Sequence, residues 1–160
     1  VRDSVTGLYN RMGYQKLSIS YFTIMREKKM PVLVMFIDLD RLKYINDTFG
    51  HEYGDFAIIS IAKAMLKHCD ADAIAARTGG DEFIVLEGAK DEESGRVLAQ
   101  KIRTELSKTQ RAMQLPFDLS ASIGAVVAHP GEENVLESYV KRAEMLMYEE
   151  KAEKKVSRDS

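Results

Sequence analysis

The sequence predicts an α+β fold with a ferredoxin-like βαββαβ core, in which a largely antiparallel central sheet is flanked by helices that pack on one side. The run VLVMFIDL at 32–39 stays apolar until Asp38 and is typical of a buried strand. Two short apolar segments, 73–77 and 82–87, lie on either side of a Gly-Gly pair and predict a hairpin. Helical patterns before and after the hairpin complete the βαββαβ order.

Each helix is predicted from the spacing of its apolar residues and from the residues that end it. The first runs from about Asn10 to Lys29 and ends before Pro31. A short second helix over 41–51 closes at Gly50, because glycine suits the left-handed conformation of a helix end. The remaining predicted elements are helices over 55–69, 94–112 and 135–155, and a β segment, either one long strand or a strand pair, over 117–129.

Three sets of apolar side chains are expected in the core. Two of them lie at helical intervals on the first and third helices, and the third lies near the C-terminal end of the last helix. The sets are Met12, Leu17, Ile19, Phe22 and Met25; Phe56, Ile59, Ala62 and Leu66; and Met145, Leu146 and Met147.

The composition indicates one globular domain over residues 1–160. With 160 residues and 45% apolar content, the chain can bury one sizeable core. A formal net charge of −2 gives no general attraction for nucleic acid or for an anionic membrane. The single cysteine, Cys69, excludes an intramolecular disulfide and a cysteine-based zinc site, and it fits a reducing cytoplasm.

The chain reads as a piece of a larger protein, because it begins with Val1 rather than methionine. Its longest apolar run, VLVMFI at 32–37, is far shorter than the ~20 residues that span a bilayer. We therefore expect a cytoplasmic domain without direct membrane contact. The parent protein could still carry a membrane anchor.

Acidic residues follow the most apolar strand and the Gly-Gly turn. Asp38 and Asp40 lie at the end of the first strand, and Asp81 and Glu82 follow the glycines. In a βαββαβ core the first strand lies beside the hairpin, so Asp38 can approach Asp81. Carboxylate oxygens from separate segments are ligands that Mg²⁺ prefers. The alternative is structural: Asp38 caps the next helix, and the turn acids are exposed to water.

Other common catalytic sites are excluded by their missing signatures. The sequence has no GxxxxGK[ST] or GxGxxG phosphate loop, no GxSxG elbow and no Cys–His pair. Its three histidines, at 51, 68 and 129, do not have zinc-site spacing. A carboxylate–metal site without its own nucleophile remains, which suits phosphoryl or nucleotidyl transfer between bound substrates.

Five motifs in register resemble the diguanylate cyclase family, which is named for its GGDEF signature. The signature itself is unaltered at 79–83, and the resemblance covers almost the whole chain. The other motifs are DSVTGLYNR at 3–11, FIDLDRLKYINDTFGHEYGD at 36–55, SIG at 122–124, and the closing A-E-x-x-x-Y-x-x-K at 143–151. The resemblance implies a βαββαβ core of the nucleotidyl-cyclase or palm-like kind.

The resemblance implies an enzyme that condenses two GTP molecules into cyclic di-GMP and releases pyrophosphate. Each GTP would lie on one protomer, so catalysis would need a homodimer in which two domains face each other. Sensor or output domains would be covalently linked in the parent protein, and no nucleic acid would be bound. The cofactor would be Mg²⁺ or Mn²⁺, two ions per GTP.

The metal-site roles carry over to four residues. By this similarity Asp38 and Asp81 would bind Mg²⁺, and the backbone carbonyl of Leu39 would be a further ligand. Asp81 or Glu82 would favour deprotonation of the attacking hydroxyl, directly or through the metal.

The substrate-binding roles carry over to ten positions. Asn46 and Asp55 would read guanine, and His51 would line the ribose or base pocket. Gly79 and Gly80 would let phosphate approach the backbone. The phosphates would meet the side chains of Lys43, Lys151 and Lys155 and the backbone N–H groups of Arg41 and Leu42. Structural readings stay open: His51 as a turn residue, Asn46 as a helix-end residue, Asp55 as an N-cap, and the two lysines of the last helix as i,i+4 partners of Glu149 or Glu150.

Two departures from the family pattern affect regulation. Many members carry an inhibitory product site, Arg-x-x-Asp, five residues before the signature. Here DADA at 70–73 has Asp70 in the arginine position and Ala73 in the aspartate position, so the site is expected to be missing. The closing motif has Glu150 in place of the usual alanine, which weakens the assignment of Lys155.

Two other functions remain open. The domain could be a catalytically silent GTP-binding module that controls a fused phosphodiesterase or another output domain. It could also be a metal-binding structural domain with no nucleotide role. The intact acids at 38, 81 and 82 favour the enzyme, and Asp55 favours GTP in both half-sites.

Overall fold

The computed structural model describes residues 1–159 and contains a four-stranded antiparallel sheet in the order β2-β3-β1-β4. The strands are β1 (Val32–Leu39), β2 (Ile74–Arg77), β3 (Glu82–Gly88) and β4 (Ala121–Ala128). The helices are α1 (Arg11–Glu27), α2 (Leu42–Phe49), α3 (His51–His68), α4 (Ser94–Ala112) and α5 (Leu136–Asp159). Strands β1, β2, β3 and β4 with helices α3 and α4 form the predicted βαββαβ core. Among the helices of residues 1–159, none is long and apolar enough to span a bilayer.

Two predicted boundaries differ from the structure. Helix α3 begins at His51 rather than at 55, because Gly50 alone separates it from α2. The φ angle of Gly50 is 98°, a backbone conformation that glycine adopts without a steric penalty. The last β segment is one strand that begins at Ala121, four residues later than the predicted 117. The preceding residues form the loop that connects α4 to β4.

Helices cover both faces of the sheet, so the prediction that they pack on one side is wrong. The side chains of β1 alternate between two apolar cores, since successive residues of a strand point to opposite faces. Leu33, Met35 and Ile37 pack with α3 and α4, whereas Val34 and Phe36 pack with α1 and α5. All eight residues of β1 are buried as a result.

The predicted core stripes of α1 and α3 are only partly correct. In α1 the buried apolar side chains are Phe22 and Met25, whereas the other three predicted residues are exposed. In α3 the stripe is rotated, because the helix packs on the sheet through alanine, isoleucine and methionine side chains between 57 and 65. Leu66 is 58% exposed. Near the C terminus Met147 is buried, but Met145 and Leu146 are exposed.

A glycine in β4 sets the position of α5 on the sheet. A Cβ atom at Gly124 would lie 1.9 Å from the carbonyl oxygen of Ala143 and 2.5 Å from the backbone nitrogen of Met147. Backbone atoms cannot yield as a flexible side chain would. Helix α5 therefore lies close to β4 only because residue 124 has no side chain.

Replacing Gly124 by alanine is expected to destabilise the fold by about 1–3 kcal/mol, because the added methyl group must push α5 away from the sheet. Chemical denaturation measures the loss. Gly131→Ala is the matched control, since a Cβ atom there meets nothing within 4 Å. Equal stability of the two variants would show that α5 does not depend on this close contact.

Candidate active site

The predicted acids come together where β1 ends beside the β2–β3 hairpin. Asp38 lies opposite Glu82 of β3 on one side and Ser122 of β4 on the other. The backbone N–H of Leu39 donates to the carbonyl oxygen of Asp81 at 2.9 Å. The four residues predicted to hold metal or the attacking hydroxyl are therefore neighbours at one edge of the sheet.

The two carboxylate oxygens of the buried residue Asp38 differ in their contacts. The residue is 6% exposed, and its Oδ1 atom has no hydrogen-bond partner within residues 1–159. Burial raises the pKa of Asp38, Lys151 opposes this effect and the neighbouring Asp81 adds to it, so that the pKa rises from 3.8 to about 7 in all. A buried carboxylate oxygen without a donor is costly unless a cation binds it.

A divalent cation fits this group of residues. The unpartnered Oδ1 of Asp38 and the adjacent Asp81 carboxylate supply hard oxygen ligands, which Mg²⁺ and Mn²⁺ prefer. Two carboxylates are also the number that Mg²⁺ commonly takes when phosphate oxygens and water complete its shell. Within residues 1–159 there is no group of three or more His, Cys, Asp or Glu side chains that could hold a metal, so an all-protein cage is absent.

Lys151 reaches the acids from α5. Its Nζ atom lies 3.0 Å from Oδ2 of Asp38 and 3.8 Å from Oδ1 of Asp40. Ala143 and Met147 are buried against the sheet, and Lys151 continues the same helical stripe by one more turn. Packing of the apolar part of α5 therefore places this ammonium group over the end of β1.

Asp40 is buried like Asp38, but its charge is fully compensated. It accepts hydrogen bonds of 2.7 Å each from Ser120 Oγ, Ser122 Oγ and Lys154 Nζ. Burial alone would raise the pKa of Asp40, but these donors lower it below its ordinary value of 3.8. Asp40 is thus a structural anion that ties α5 to the ends of β1 and β4.

Glu150 completes this anchorage of α5. It accepts two hydrogen bonds from Arg103 of α4, at 2.6 and 2.8 Å, and one from the backbone N–H of Ile123 at 3.3 Å. Lys154 lies 3.3 Å away on the next turn. The glutamate that departs from the family pattern therefore has a structural role in this chain.

The N-terminal motif fixes the Gly-Gly turn. Arg77 donates to the carbonyl oxygen of Gly80 through Nη2 at 2.7 Å and pairs with Asp3 at 3.3 Å. Asp3 also accepts from the backbone N–H and the hydroxyl of Thr6, at 2.9 and 2.7 Å. Arg11 adds a 3.1 Å bond to the carbonyl oxygen of Thr78. The sequence motif DSVTGLYNR is thus a brace for the turn that carries Asp81 and Glu82.

Glu82 folds back over the turn. Its Oε2 atom would lie 3.0 Å from a Cβ atom at Gly79, so a side chain at that position would crowd it. Burial raises the pKa of Glu82, and the nearby charges of Asp81 and Glu144 raise it further. Gly80 is exposed, with open space around it.

The predicted guanine-reading residues gather at the turn between α2 and α3. The amide oxygen of Asn46 would lie 1.7 Å from a Cβ atom at Gly54, so glycine is needed for Asn46 to pack there. Asp55 follows Gly54 directly, and His51 lies one turn earlier on the same helix face. Both are exposed. Asp55 lies inside α3, so its reading as an N-cap is wrong.

The predicted phosphate-binding residues lie in two places, at the start of α2 and on α5. Arg41 has a φ of 57° and immediately precedes α2, where Leu42 and Lys43 form the first turn. Lys43 and Lys155 are both exposed. The second α5 lysine at the acids is Lys154, which sequence reasoning missed. A signal was present, since Lys154 extends the buried stripe of α5 by three residues beyond Lys151.

Residues 70–73, where many family members carry the product-inhibition site, have Asp70 in the arginine position. The backbone N–H of Asp70 donates to Oε1 of Glu87 at 2.9 Å. Burial raises the pKa of Glu87, and the charges of Asp70 and Asp72 add to this effect. This corner of the molecule is acidic and would repel the phosphates of a cyclic dinucleotide.

The chain is similar to known proteins over almost its whole length. Residues 1–157 match the family described as diguanylate cyclase, GGDEF domain. The chain is 34% identical over 153 residues to diguanylate cyclase VdcA of Vibrio cholerae, covering 93% of this chain and 43% of that protein. It is 32% identical over 146 residues to cyclic di-GMP phosphodiesterase PdeR of Escherichia coli, covering 91% of this chain and 22% of that protein. The crystal structure of the GGDEF domain of DgcB from Caulobacter crescentus in complex with c-di-GMP matches with a TM-score of 0.77 and 25% identity, covering 94% of this chain and 90% of that one.

In metal-free protein, Asp38→Asn is expected to raise the melting temperature more at pH 8 than at pH 5. The ordinary pKa of the carboxyl is 3.8, and in the fold it is about 7. The folded chain therefore holds the extra proton between these values and loses stability as the pH rises through them. The amide of the variant does not titrate. Thermal unfolding with a chelator present measures the difference.

Asp40→Asn is the matched control at the same strand end. The pKa of Asp40 is held below 3.8, so its stabilising charge is present at both pH 5 and pH 8. This variant is expected to lose the same stability at each pH. A pH-independent effect of Asp38→Asn would contradict the raised pKa.

Proposed function

The chain belongs to the GGDEF domain family of diguanylate cyclases, and from this premise we propose that it is a catalytically active, Mg²⁺- or Mn²⁺-dependent diguanylate cyclase domain that uses GTP. The observation that carries the proposal is the unpartnered Oδ1 atom of buried Asp38 beside Asp81. A domain without metal chemistry would gain stability by losing that acid.

The chain spans less than half of the length of the curated relatives it matches, 43% of VdcA and 22% of PdeR. The activity, the regulation and the partners of the whole protein are therefore proposals. We propose that sensor or output domains are linked to this one in the parent protein. We also propose that the domain lies in the cytoplasm, where GTP is available.

Substrate binding is assigned to the two ends of α2. Asp55 and Asn46 hydrogen-bond the edge of guanine at the α2–α3 turn, with His51 beside the ribose or base. A carboxylate can accept from the N1–H and amino group of guanine together, a pairing that adenine does not offer. At the other end of α2, the backbone N–H groups of Arg41 and Leu42 face the phosphates, as at other helix N-termini. The cations assigned to the phosphates are Lys43, Lys151 and Lys155.

Asp38, Asp81 and the carbonyl oxygen of Leu39 would hold the metal ions, two per GTP. Bound there, the ions would supply positive charge against the negative charge that builds on the α-phosphate and on the leaving pyrophosphate. Lys151 adds a positive charge beside Asp38, because its Nζ atom lies 3.0 Å from Oδ2 of Asp38. This ammonium group offers an anionic substrate a positive charge next to the acid.

The chemical step needs a proton acceptor for the attacking hydroxyl. The 3′-oxygen of one GTP forms a bond to the α-phosphorus of the other, pyrophosphate leaves, and the hydroxyl proton passes to a carboxylate. Asp81 and Glu82 are the candidates, and the raised pKa of Glu82 favours it as the acceptor. Two such steps close the ring of cyclic di-GMP.

The second GTP is supplied by a second copy of the chain. The residues assigned here bind one nucleotide, and they offer no second guanine-reading pair. The complete active site is therefore proposed to form between two domains that face each other.

A silent GTP-binding module is the second candidate. The resemblance to the phosphodiesterase PdeR supports it, because a GGDEF-like region lies within a protein of another named activity. The intact acids at 38, 81 and 82 favour the enzyme, since binding alone does not require all three.

The domain incubated with GTP and Mg²⁺ is expected to produce cyclic di-GMP and pyrophosphate, and Asp81→Asn is expected to reduce turnover by a factor of about 100 or more. Chromatography of the nucleotides measures the product. Lys16→Gln, an exposed change on α1, is the control that should leave turnover unchanged.

The dependence on protein concentration is measured in the same assay. Specific activity should rise with concentration until the dimer saturates, because each protomer supplies one GTP. Calorimetric GTP binding without product at high protein concentration would favour the silent module. Specific activity that does not change on dilution would contradict the two-protomer site.

A further inference from the structure

A cavity lies beside Asp40, at the contact between the end of α5 and the start of α2. It has a volume of about 480 Å³ and is formed by the start of α2, the loop before β4 and the C-terminal end of α5. This volume is within the range of small-molecule sites. Taken over residues 1–159, its lining includes none of Asp38, Asp81, Asn46 and Asp55. The cavity therefore lacks the residues assigned to the metal and to guanine. It shares Arg41 with the site assigned to GTP, but through the side chain rather than the backbone N–H. The inference does not rest on the proposed function.

The cavity has an excess of positive charge. Its ionised side chains are three cations, Arg41, Lys154 and Arg158, and two acids, Asp40 and Asp118. Lys154 and Asp40 neutralise each other through their 2.7 Å contact. Asp118 is exposed and accepts one bond from Gln110 at 3.3 Å, outside the cavity lining. Two guanidinium groups and the carboxylate of Asp118 thus remain, which leaves an excess of one positive charge to meet an anion.

One of these guanidinium groups is held in place by an aromatic ring. The Cζ atom of Arg41 lies 4.0 Å from the centroid of the Tyr44 ring. Arg41 has a φ of 57° and immediately precedes α2, which carries Tyr44. A pre-positioned guanidinium group loses less entropy when it binds a phosphate.

Apolar side chains form the other part of the cavity lining. Tyr44, Ile45, Pro116 and Phe117 contribute to its lining. Phe117 is fixed by packing, with its ring 5.5 Å from Phe49 and 5.7 Å from Tyr53, measured between centroids. A rigid apolar wall beside two guanidinium groups suits a flat ring that carries an anionic group.

We infer that this cavity is a binding site for a nucleoside phosphate, with the phosphate between Arg41 and Arg158 and the base against the wall formed by Tyr44 and Phe117. Base-on-aromatic contacts accept any base. Guanine is therefore not required, in contrast to the site at the α2–α3 turn.

AMP is the probe, because Asp55 and Asn46 are suited to guanine rather than adenine. The metal-free domain, with a chelator present, is titrated with AMP and followed by ¹H–¹⁵N NMR. Saturable binding below about 1 mM is expected. The shifted amides should lie in 41–45, 116–120 and 154–158. Adenosine and inorganic phosphate, each lacking one half of the ligand, should bind about tenfold more weakly or worse.

Three variants outside the proposed catalytic machinery test the assignment. Arg158→Gln removes a cation at the exposed end of α5 and should weaken AMP binding about fivefold. Asp118→Asn removes a repelling charge and should strengthen it. Arg111→Gln, at an exposed position on α4, is the matched control and should change nothing. Melting temperatures equal to that of the unsubstituted domain would show that a change in AMP affinity does not come from a loss of folding.

Three results would overturn the inference. They are the lack of saturable AMP binding, shifts centred on Asn46 and Asp55, and equal affinities of Arg158→Gln and Arg111→Gln. None of them affects the proposed cyclase activity, because product formation from GTP is measured separately.

Discussion

The cost of burying two acids at the end of the central strand shapes this domain. Strand β1 lies between β3 and β4, and its even-numbered side chains face α5, so Asp38 and Asp40 leave water when the sheet and helix assemble. Asp40 receives three hydrogen bonds of 2.7 Å, and its pKa falls. Asp38 keeps one oxygen without a donor, and its pKa rises to about 7. Two residues apart, the same strand end holds one structural acid and one acid that needs a cation.

The surrounding structure serves to keep this strand end in place. Gly124 lets α5 approach the sheet, and the buried stripe of α5 then places Lys151 and Lys154 over the acids. On the other side, Arg77 joins Asp3 to the carbonyl oxygen of Gly80 and so holds the hairpin that carries the partner acids. The N-terminal stretch and the last helix thus act on one site from opposite sides, although they are far apart in sequence.

Much of the fold could be predicted from the sequence, because apolar runs, glycines and helix ends are local signals. The buried run of β1 and the turn at Gly50 are examples. The orientation of α1 could not be predicted from the sequence, because apolar side chains such as Met12 and Ile19 occur on its exposed face as well. The covering of both sheet faces was missed for a related reason: a continuous apolar strand shows that both of its faces are buried, but not which helices cover them.

The sequence motifs predict the residues of the candidate site, but they do not predict the contacts that hold these residues in place. The role of Asp40 depends on Ser120 and Ser122, 80 and 82 residues away in the chain. The placement of Lys154 rather than Lys155 beside it depends on the rotation of α5. Both contacts depend on how distant segments pack, which the sequence around each residue does not show. Lys154 could still have been identified by extending the buried stripe of α5, whereas the serine donors could be identified only from the strand register.

The central claim is that the carboxylate oxygen of Asp38 without a hydrogen-bond partner binds a divalent cation. A ¹³C NMR titration of the side-chain carboxyl of Asp38, with and without Mg²⁺, tests it most directly. We expect a pKa of about 7 without metal and a much lower pKa with Mg²⁺, because a bound cation favours the charged carboxylate. A pKa that Mg²⁺ leaves unchanged, or an ordinary pKa in the metal-free protein, would show that Asp38 does not bind the cation.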